Sequence, residues 1–182
     1  LNDYRIVLHG IHLDREKTVR ITSKTGKTWM DSEDRIYDFW TNKLDDATSG
    51  KQMQIMRIMR MKALMSFPSK EKYAAQLFRS IDDKCILFAN THEQADKLCP
   101  HSYHSSNPKS EDNLLKFKSG EINKLSCVLQ LSEGVNIPNL KQGIIMHAYG
   151  NERKATQRLG RMLRLNPYEK AIIHVLCYEG TV

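Results

Sequence analysis

The pattern of apolar and polar positions changes character near residue 80. Before that point it is irregular. YRIVLHGIHL (4–13) reads as a strand. Thr18, Val19, Arg20, Ile21 and Thr22 alternate polar with apolar, as in a half-exposed strand, and Thr25-Gly26 supplies a tight turn, so the segment predicts a hairpin. Residues 33–44 have helical spacing, with Ile36, Phe39 and Trp40 on one face. A polar break at 45–51 leads into a methionine- and arginine-rich helix over 52–67. There Met53, Met56, Met59 and Leu64 or Met65 form a stripe, expected to serve as core filler. Pro68 ends that helix, and Ser69 is placed to cap another over 70–81.

After residue 80 the rhythm is regular. KCILFAN (84–90) is a continuous apolar run, as in a strand buried on both faces. A short helix follows at 91–98 with Thr91 as N-cap, then an extended piece at 101–106, then a helix at 111–120 stopped by Gly120. LSCVLQL (125–131) and KQGIIMHAY (141–149) are further apolar runs, 153–165 has helical spacing, and KAIIHVLCY (170–178) is a last strand. Strands alternating with helices predict an α/β fold, a parallel sheet with helices on both faces. Ligands of such sheets bind beyond the carboxyl ends of the strands. The expected division is a helical and hairpin extension over 1–80 and the α/β domain over 81–182.

Composition adds a partner class. The chain has 182 residues and a formal net charge of +7, from 28 Lys and Arg against 21 Asp and Glu, which favours a polyanion. No apolar run is long enough to span a membrane and no signal peptide opens the sequence, so an intracellular setting, cytoplasmic or nucleoid-associated, is expected. The chain begins at Leu1, which suggests a piece of something longer. Cys85, Cys99, Cys127 and Cys177 are dispersed, as in a reduced protein. Cys99, His101 and His104 cluster, but they lack a standard metal spacing and a fourth ligand, so no metal is assigned. His147 and His174 lie in apolar runs and read as core residues.

Two stretches bear on phosphate. Gly26-Lys27-Thr28 ends like a phosphate-binding loop, but Ile21 stands where the first glycine is required and the flanks are those of a hairpin. QRLGRMLR (157–164) is more informative. On a helix Arg158, Arg161 and Arg164 step by three along one drifting face, while Ala155, Leu159, Met162 and Leu163 can anchor the other side to the sheet. Gly160 inside a helix costs about 1 kcal/mol relative to Ala, which makes sense if a backbone or phosphate comes close. Arginine suits phosphate oxygens because its fork donates two parallel hydrogen bonds.

Q-R-x-G-R-x-x-R resembles motif VI of superfamily 2 helicases and translocases. LSEGVNIP (131–138) resembles motif V, CILFANT (85–91) motif IV, and YHSS (103–106) the short motif after it. Together they cover about half the chain, and their flavour is that of the phage-type and restriction-subunit branch rather than the DEAD-box branch.

The resemblance implies the second of two RecA-like domains. ATP and Mg²⁺ would be held mainly by a first, N-terminal RecA-like domain of the same protein, absent from this chain, which contains neither a complete P-loop nor a D-E-x-[HD] box. By motif match Arg161 and Arg164 would be arginine fingers on the γ-phosphate, with Gln157 near the attacking water or the phosphates. Arg158 would hold the interface, and Gly134 and Asn136 would approach the nucleotide. Many members carry Asp where this chain has Asn136. Thr91, Ser105, Ser106 and Ser132 would contact nucleic-acid phosphates, with DNA ahead of RNA as the polymer. The fragment alone is expected to be inactive as an ATPase. The competing reading is a non-catalytic nucleic-acid-binding or protein-docking module that keeps the helicase fold. A Rossmann-type enzyme is disfavoured because no G-x-G-x-x-G follows a strand.

Overall fold

The structure is a computed structural model that describes residues 4–128, 135–147, 156–157, 159–160, 163–164 and 170–181, the pair 163–164 by its backbone. In chain order the elements are β1 (Tyr4–Ile11), β2 (Val19–Thr22), β3 (Thr28–Asp31), α1 (Glu33–Asp45), α2 (Gly50–Ser66), α3 (Pro68–Ser80), β4 (Cys85–Ala89), α4 (His92–Leu98), β5 (Ser102–Tyr103), α5 (Ser110–Ser119), β6 (Lys124–Val128), β7 (Ile137–Pro138), β8 (Gln142–Ile145), β9 (Leu163–Arg164) and β10 (Ala171–Tyr178). They fall into two compact units. One comprises Leu1–Gly10 and Glu71–Cys177, the other Ile11–Lys70 and Tyr178–Val182.

The larger unit is organised by a six-stranded sheet in the order β1-β10-β8-β4-β6-β5. The pairs from β10 through β8, β4 and β6 to β5 are parallel. Cys85 is in register with both Lys124 and Gln142, which makes β4 the centre of the sheet. Every residue of β4 is buried, which is why its sequence is apolar without alternation. Ile86, Phe88, Phe117, Leu125, Ile145 and Ile173 belong to one core cluster. Thr91 caps α4 by accepting a hydrogen bond from Gln94 N, and Gly120 ends α5 in the left-handed region at φ 82°. This is the α/β parallel-sheet class that the alternation predicts.

At the amino ends of β4 and β6, lysines satisfy backbone carbonyls, two of them near helix ends. Lys124 Nζ donates to Phe78 O near the end of α3 at 2.5 Å, and Lys84 Nζ donates to Pro138 O at 2.9 Å and Lys118 O at 3.4 Å. The cationic ends also meet the negative pole of the helix dipoles there.

In the smaller unit β2 and β3 form the expected antiparallel hairpin, with Ile21 opposite Trp29. Gly26 adopts φ 84° in the turn, a conformation that disfavours side chains, and Gly26 N donates to Ser23 O at 3.0 Å. The Gly-Lys-Thr triplet thus belongs to a turn and the strand after it.

Two helical expectations need correction. Phe39 is not a core residue of α1. Ile36, on the same predicted face, is buried, as is Tyr37, whereas Phe39 is 50% exposed, edge-on to Trp40. The methionine stripe of α2 is core filler only in part, since Leu64 is buried and Met53, Met56 and Met65 are half-buried while Met59 is exposed along with Ile55 and Ile58. The side of α2 carrying Arg60 meets α1, with Arg60 over the Tyr37 ring and bonded to Thr41 Oγ1 at 3.2 Å.

Ser69 is likewise not an N-cap, because Pro68 already begins α3. Its hydroxyl is drawn into a buried network. Glu33 is fully buried, and its carboxylate accepts from Asp14 N at 2.9 Å, Ser69 N at 3.0 Å and Ser69 Oγ at 2.6 Å. A buried carboxylate persists only with such donors. Among the described residues no helix is long and apolar enough to cross a membrane.

Candidate functional site

Strands β4 and β5 flank β6 and run parallel to it, so their carboxyl ends open on the same edge of the sheet. Three of the predicted phosphate-contacting residues lie there. Thr91 follows β4 and is exposed. Its Oγ1 accepts from Gln94 N at 3.1 Å, which leaves the hydroxyl hydrogen free to donate outward. Ser105 and Ser106 follow β5 and are exposed as well.

Beneath these hydroxyls is a network that the motifs do not announce. His104 is buried and its Nδ1 lies 3.2 Å from Ser106 N. A backbone N–H can only donate, so Nδ1 carries the lone pair and Nε2 carries the hydrogen. Nε2–H then donates to Asp96 Oδ1 at 2.7 Å. The same Oδ1 accepts from Ser102 Oγ at 2.5 Å. The Ser102 hydrogen bond, followed by that of His104, holds the Asp96 carboxyl below its usual range. Ser110 Oγ donates to His104 O at 2.8 Å, and Asn113 Nδ2 donates to Ser102 O at 2.9 Å, which pins the loop to α5.

His92 lies on the other side of His104. The two rings stack with centroids 4.3 Å apart and planes 10° from parallel, and His92 Nδ1 is 2.9 Å from Ser106 Oγ. The sequence did carry a signal for this group, since His92 and Asp96 are one helical turn apart and His104 precedes the serines. Only the fold shows that they meet. Cys99 and His101 do not join them. Cys99 is buried with its thiol pushed up by desolvation, and its Sγ lies 3.7 Å from Lys124 O.

A second group of predicted residues lies along a short parallel ladder. β7 pairs with β9, with Ile137 opposite Leu163 and Pro138 opposite Arg164. The segment that begins at exposed Asn136 therefore runs beside the backbone of Arg164. This corrects the expectation of a helix through 165. Residues 156–157 and 159–160 are helical, but 163–164 are extended, because tertiary pairing with β7 overrides the good helical propensity of the arginines, methionine and leucines there. Arg164 thus leaves the helical face on which arginines stepping by three would have placed it.

Gln157 is exposed while Thr156 and Leu159 are buried, so one side of this turn faces the interior. Leu159 anchors it as expected. A Cβ on Gly143 of β8 would lie 2.4 Å from Leu159 Cδ2, so the leucine occupies the space a side chain there would need. Gly160 has a different reason from the one expected. A Cβ there would lie 2.9 Å from Cε1 of the Tyr4 ring, so among the described atoms an aromatic ring makes the close approach, not a backbone or a phosphate. Ser132, Gly134, Arg158 and Arg161 lie outside the described residues.

The chain matches the helicase conserved C-terminal domain family over residues 69–166, more than half its length. It belongs to that family. It is 24% identical to the DNA 3'-5' translocase XPB2 of Sulfurisphaera tokodaii, in a match covering 82% of this chain and 41% of that protein. The chain therefore spans about two fifths of the length of this curated relative. Among solved structures it resembles the Sulfolobus solfataricus SWI2/SNF2 ATPase core in complex with dsDNA, at TM-score 0.62 and 14% identity over 97% of this chain and 42% of that one. It also resembles the C-terminal domain of the DEAD-box protein Dbp5, at TM-score 0.50 and 18% identity over 61% of this chain and 71% of that one. At such identities these likenesses speak for the fold, which is RecA-like. The chain is thus a C-terminal domain of the superfamily 2 helicase and translocase type.

Proposed function

We propose that this helicase C-terminal domain works as the second motor domain of an ATP-dependent nucleic-acid translocase or helicase, with DNA as the polymer. Its motif V and motif VI segments complete an ATP site held by a first RecA-like domain, and its motif IV edge grips a nucleic-acid backbone. The observation that carries this is the β7–β9 ladder, which sets the segments bearing Asn136 and Arg164 side by side despite their distance in sequence. The described members of the set fit a polar ligand, since Asn136 and Gln157 are both exposed amides.

ATP, bound with Mg²⁺ on the first domain, would supply the phosphoryl group for transfer to water. Arg161 and Arg164 would donate to its γ-phosphate and stabilise charge developing there, a contribution of about 10³–10⁵ in rate in related nucleotide hydrolases. Gln157 would orient water. Arg158 would brace the interface, and Gly134 and Asn136 would lie against the nucleotide. On the other edge Thr91, Ser105, Ser106 and Ser132 would donate to phosphate oxygens. Such contacts position a strand without reading its sequence.

The test uses the protein that joins this chain to a P-loop domain. Arg161→Ala and Arg164→Ala should each abolish most nucleic-acid-stimulated ATP hydrolysis while leaving nucleic-acid binding in place. Unchanged hydrolysis in both variants would replace this reading with that of a non-catalytic binding or docking module, for which Asn136 in place of the family's frequent Asp is the supporting feature.

A further inference from the structure

We propose that His92 is a proton-dependent phosphate contact, coupled through Ser106 to the backbone grip at the carboxyl ends of β4 and β5. This rests on the reading of Thr91, Ser105 and Ser106 as phosphate ligands and adds a residue of a different kind to it. The hydroxyls of Thr91 and Ser105 donate equally well at any physiological pH. A histidine does not, because it is the side chain whose charge changes between pH 5 and 8.

The geometry makes the coupling specific. His92 Nδ1 and Ser106 Oγ are 2.9 Å apart, so one of them donates to the other. With His92 neutral, two arrangements exist. In one, Ser106 O–H donates to Nδ1, and the hydroxyl hydrogen is turned away from any phosphate. In the other, Nδ1–H donates to Ser106, and Nε2 presents a lone pair, which repels a phosphate oxygen. Neither offers both donors. With His92 protonated, Nδ1–H donates to Ser106 Oγ, the Ser106 hydrogen is released outward, and Nε2–H becomes a charged donor. One proton therefore raises the donors offered to an anion from one to two and gives one of them a charge.

The surroundings hold the ring in place for this. His104 stacks on it and is itself fixed as the Nε2–H tautomer by Ser106 N and Asp96, so the stack presents a neutral ring to the imidazolium. The Asp96 carboxylate, on the same helix one turn away, offsets the added charge. Glu93 is the other acidic neighbour on α4, and the ammonium of Lys97 is held by Glu71 Oε1 at 2.6 Å. Of the strands packed against α4, β4 carries no charged side chain, and Tyr103 of β5 turns its hydroxyl to Glu111 at 2.8 Å. Lys124 of β6 is spent on Phe78 O.

The experiment measures binding of the chain to an oligothymidylate carrying a pH-insensitive dye, by fluorescence anisotropy at pH 8 and pH 6 and constant ionic strength. Wild type should bind about threefold to tenfold tighter at pH 6, the range of one charge-assisted contact at a solvated surface. Titration calorimetry in buffers of different ionisation enthalpy should report proton uptake on binding. His92→Gln, which donates but does not titrate, should lose most of the pH ratio and the uptake. His92→Phe, which keeps the stack, should do the same, so loss of packing cannot mimic the result. His12→Gln, on an exposed histidine beside Glu179, should leave the ratio at the wild-type value. A wild-type pH ratio in both His92 variants overturns the proposal. If Thr91→Ala and Ser105→Ala leave affinity unchanged at both pH values, it is the grip itself that fails.

Discussion

His9 and His174 are bonded ring to ring, Nε2 to Nδ1 at 2.8 Å. The bond is one link of a directional chain. Gln142 Nε2 donates to Asp83 Oδ2 at 3.0 Å, which turns its Oε1 toward His174 Nε2 at 2.8 Å. His174 therefore donates from Nε2 and accepts at Nδ1. His9 in turn donates from Nε2 and accepts at Nδ1 from the Tyr73 hydroxyl at 2.6 Å. Every link requires both imidazoles neutral. The chain joins β1, β10, β8 and α3, and it places His174 among satisfied interior residues, as its apolar run implied.

That chain predicts how stability depends on pH. Burial, then repulsion from His9, pushes His174 down to about 4, and burial lowers His9 as well. A histidine with a lowered folded value is protonated more readily when unfolded. The unfolded state therefore binds the extra proton between about pH 6.5 and pH 4, and stability is lost as pH falls through that window. At pH 5 the loss from His174 alone is about 2 kcal/mol relative to pH 7 or above. Urea unfolding at pH 7.5 and pH 5 reads it directly. His174→Gln should be less stable at pH 7.5 yet lose less between the two conditions.

The contact between Gly143 and Leu159 gives a double-variant prediction. Leu159→Ala should cost about 2–5 kcal/mol by opening a cavity, and Gly143→Ala about 1–3 kcal/mol by overpacking against the same side chain. Combined, they should cost less than the sum, because the new methyl group enters the vacated space. Additive losses in thermal or urea unfolding would show that the two do not share one site.

Gly160 and Tyr4 give a prediction of sign. Glycine to alanine within a helical turn is ordinarily stabilising by about 1 kcal/mol. Here Gly160→Ala should be neutral or destabilising, because the methyl group meets the tyrosine ring. In a Tyr4→Ala background the same substitution should become stabilising. A stabilising Gly160→Ala in the wild-type background would locate the reason for the glycine elsewhere.

In the smaller unit Tyr178 accepts a hydrogen bond from Lys70 N at 3.0 Å, and its hydroxyl is 2.7 Å from Ser69 Oγ, which itself donates to Glu33. Tyr178→Phe removes the hydroxyl from a buried network. It should cost about 1–3 kcal/mol, the range for leaving a buried donor unpaired. The cost should shrink but not vanish in a Glu33→Gln, Ser69→Ala background, because the Ser69 link is already gone there while Lys70 N still donates to the Tyr178 hydroxyl, and equilibrium unfolding of the variants checks this.

By itself the sequence determined the class of the fold and the family. Period and length suffice to find β4, α4, α5 and β10, because an interior strand has nothing polar to show and a local cap marks one end of each helix, Thr91 the start of α4 and Gly120 the end of α5. The motifs placed Thr91, Ser105 and Ser106 at one edge of the sheet, because carboxyl ends of parallel strands must open together. Tertiary structure decided what depends on partners distant along the chain. Arg164 is extended because β7 offers its backbone a ladder, and Gly160 is small because Tyr4 lies against it. Phe39 is exposed because helical spacing says which residues share a face, not what that face meets. The rings of His92, His104, His9 and His174 take their roles from hydrogen bonds whose other halves lie elsewhere in the chain. A hydrogen bond fixes a tautomer only where donor and acceptor converge, and that convergence belongs to the fold.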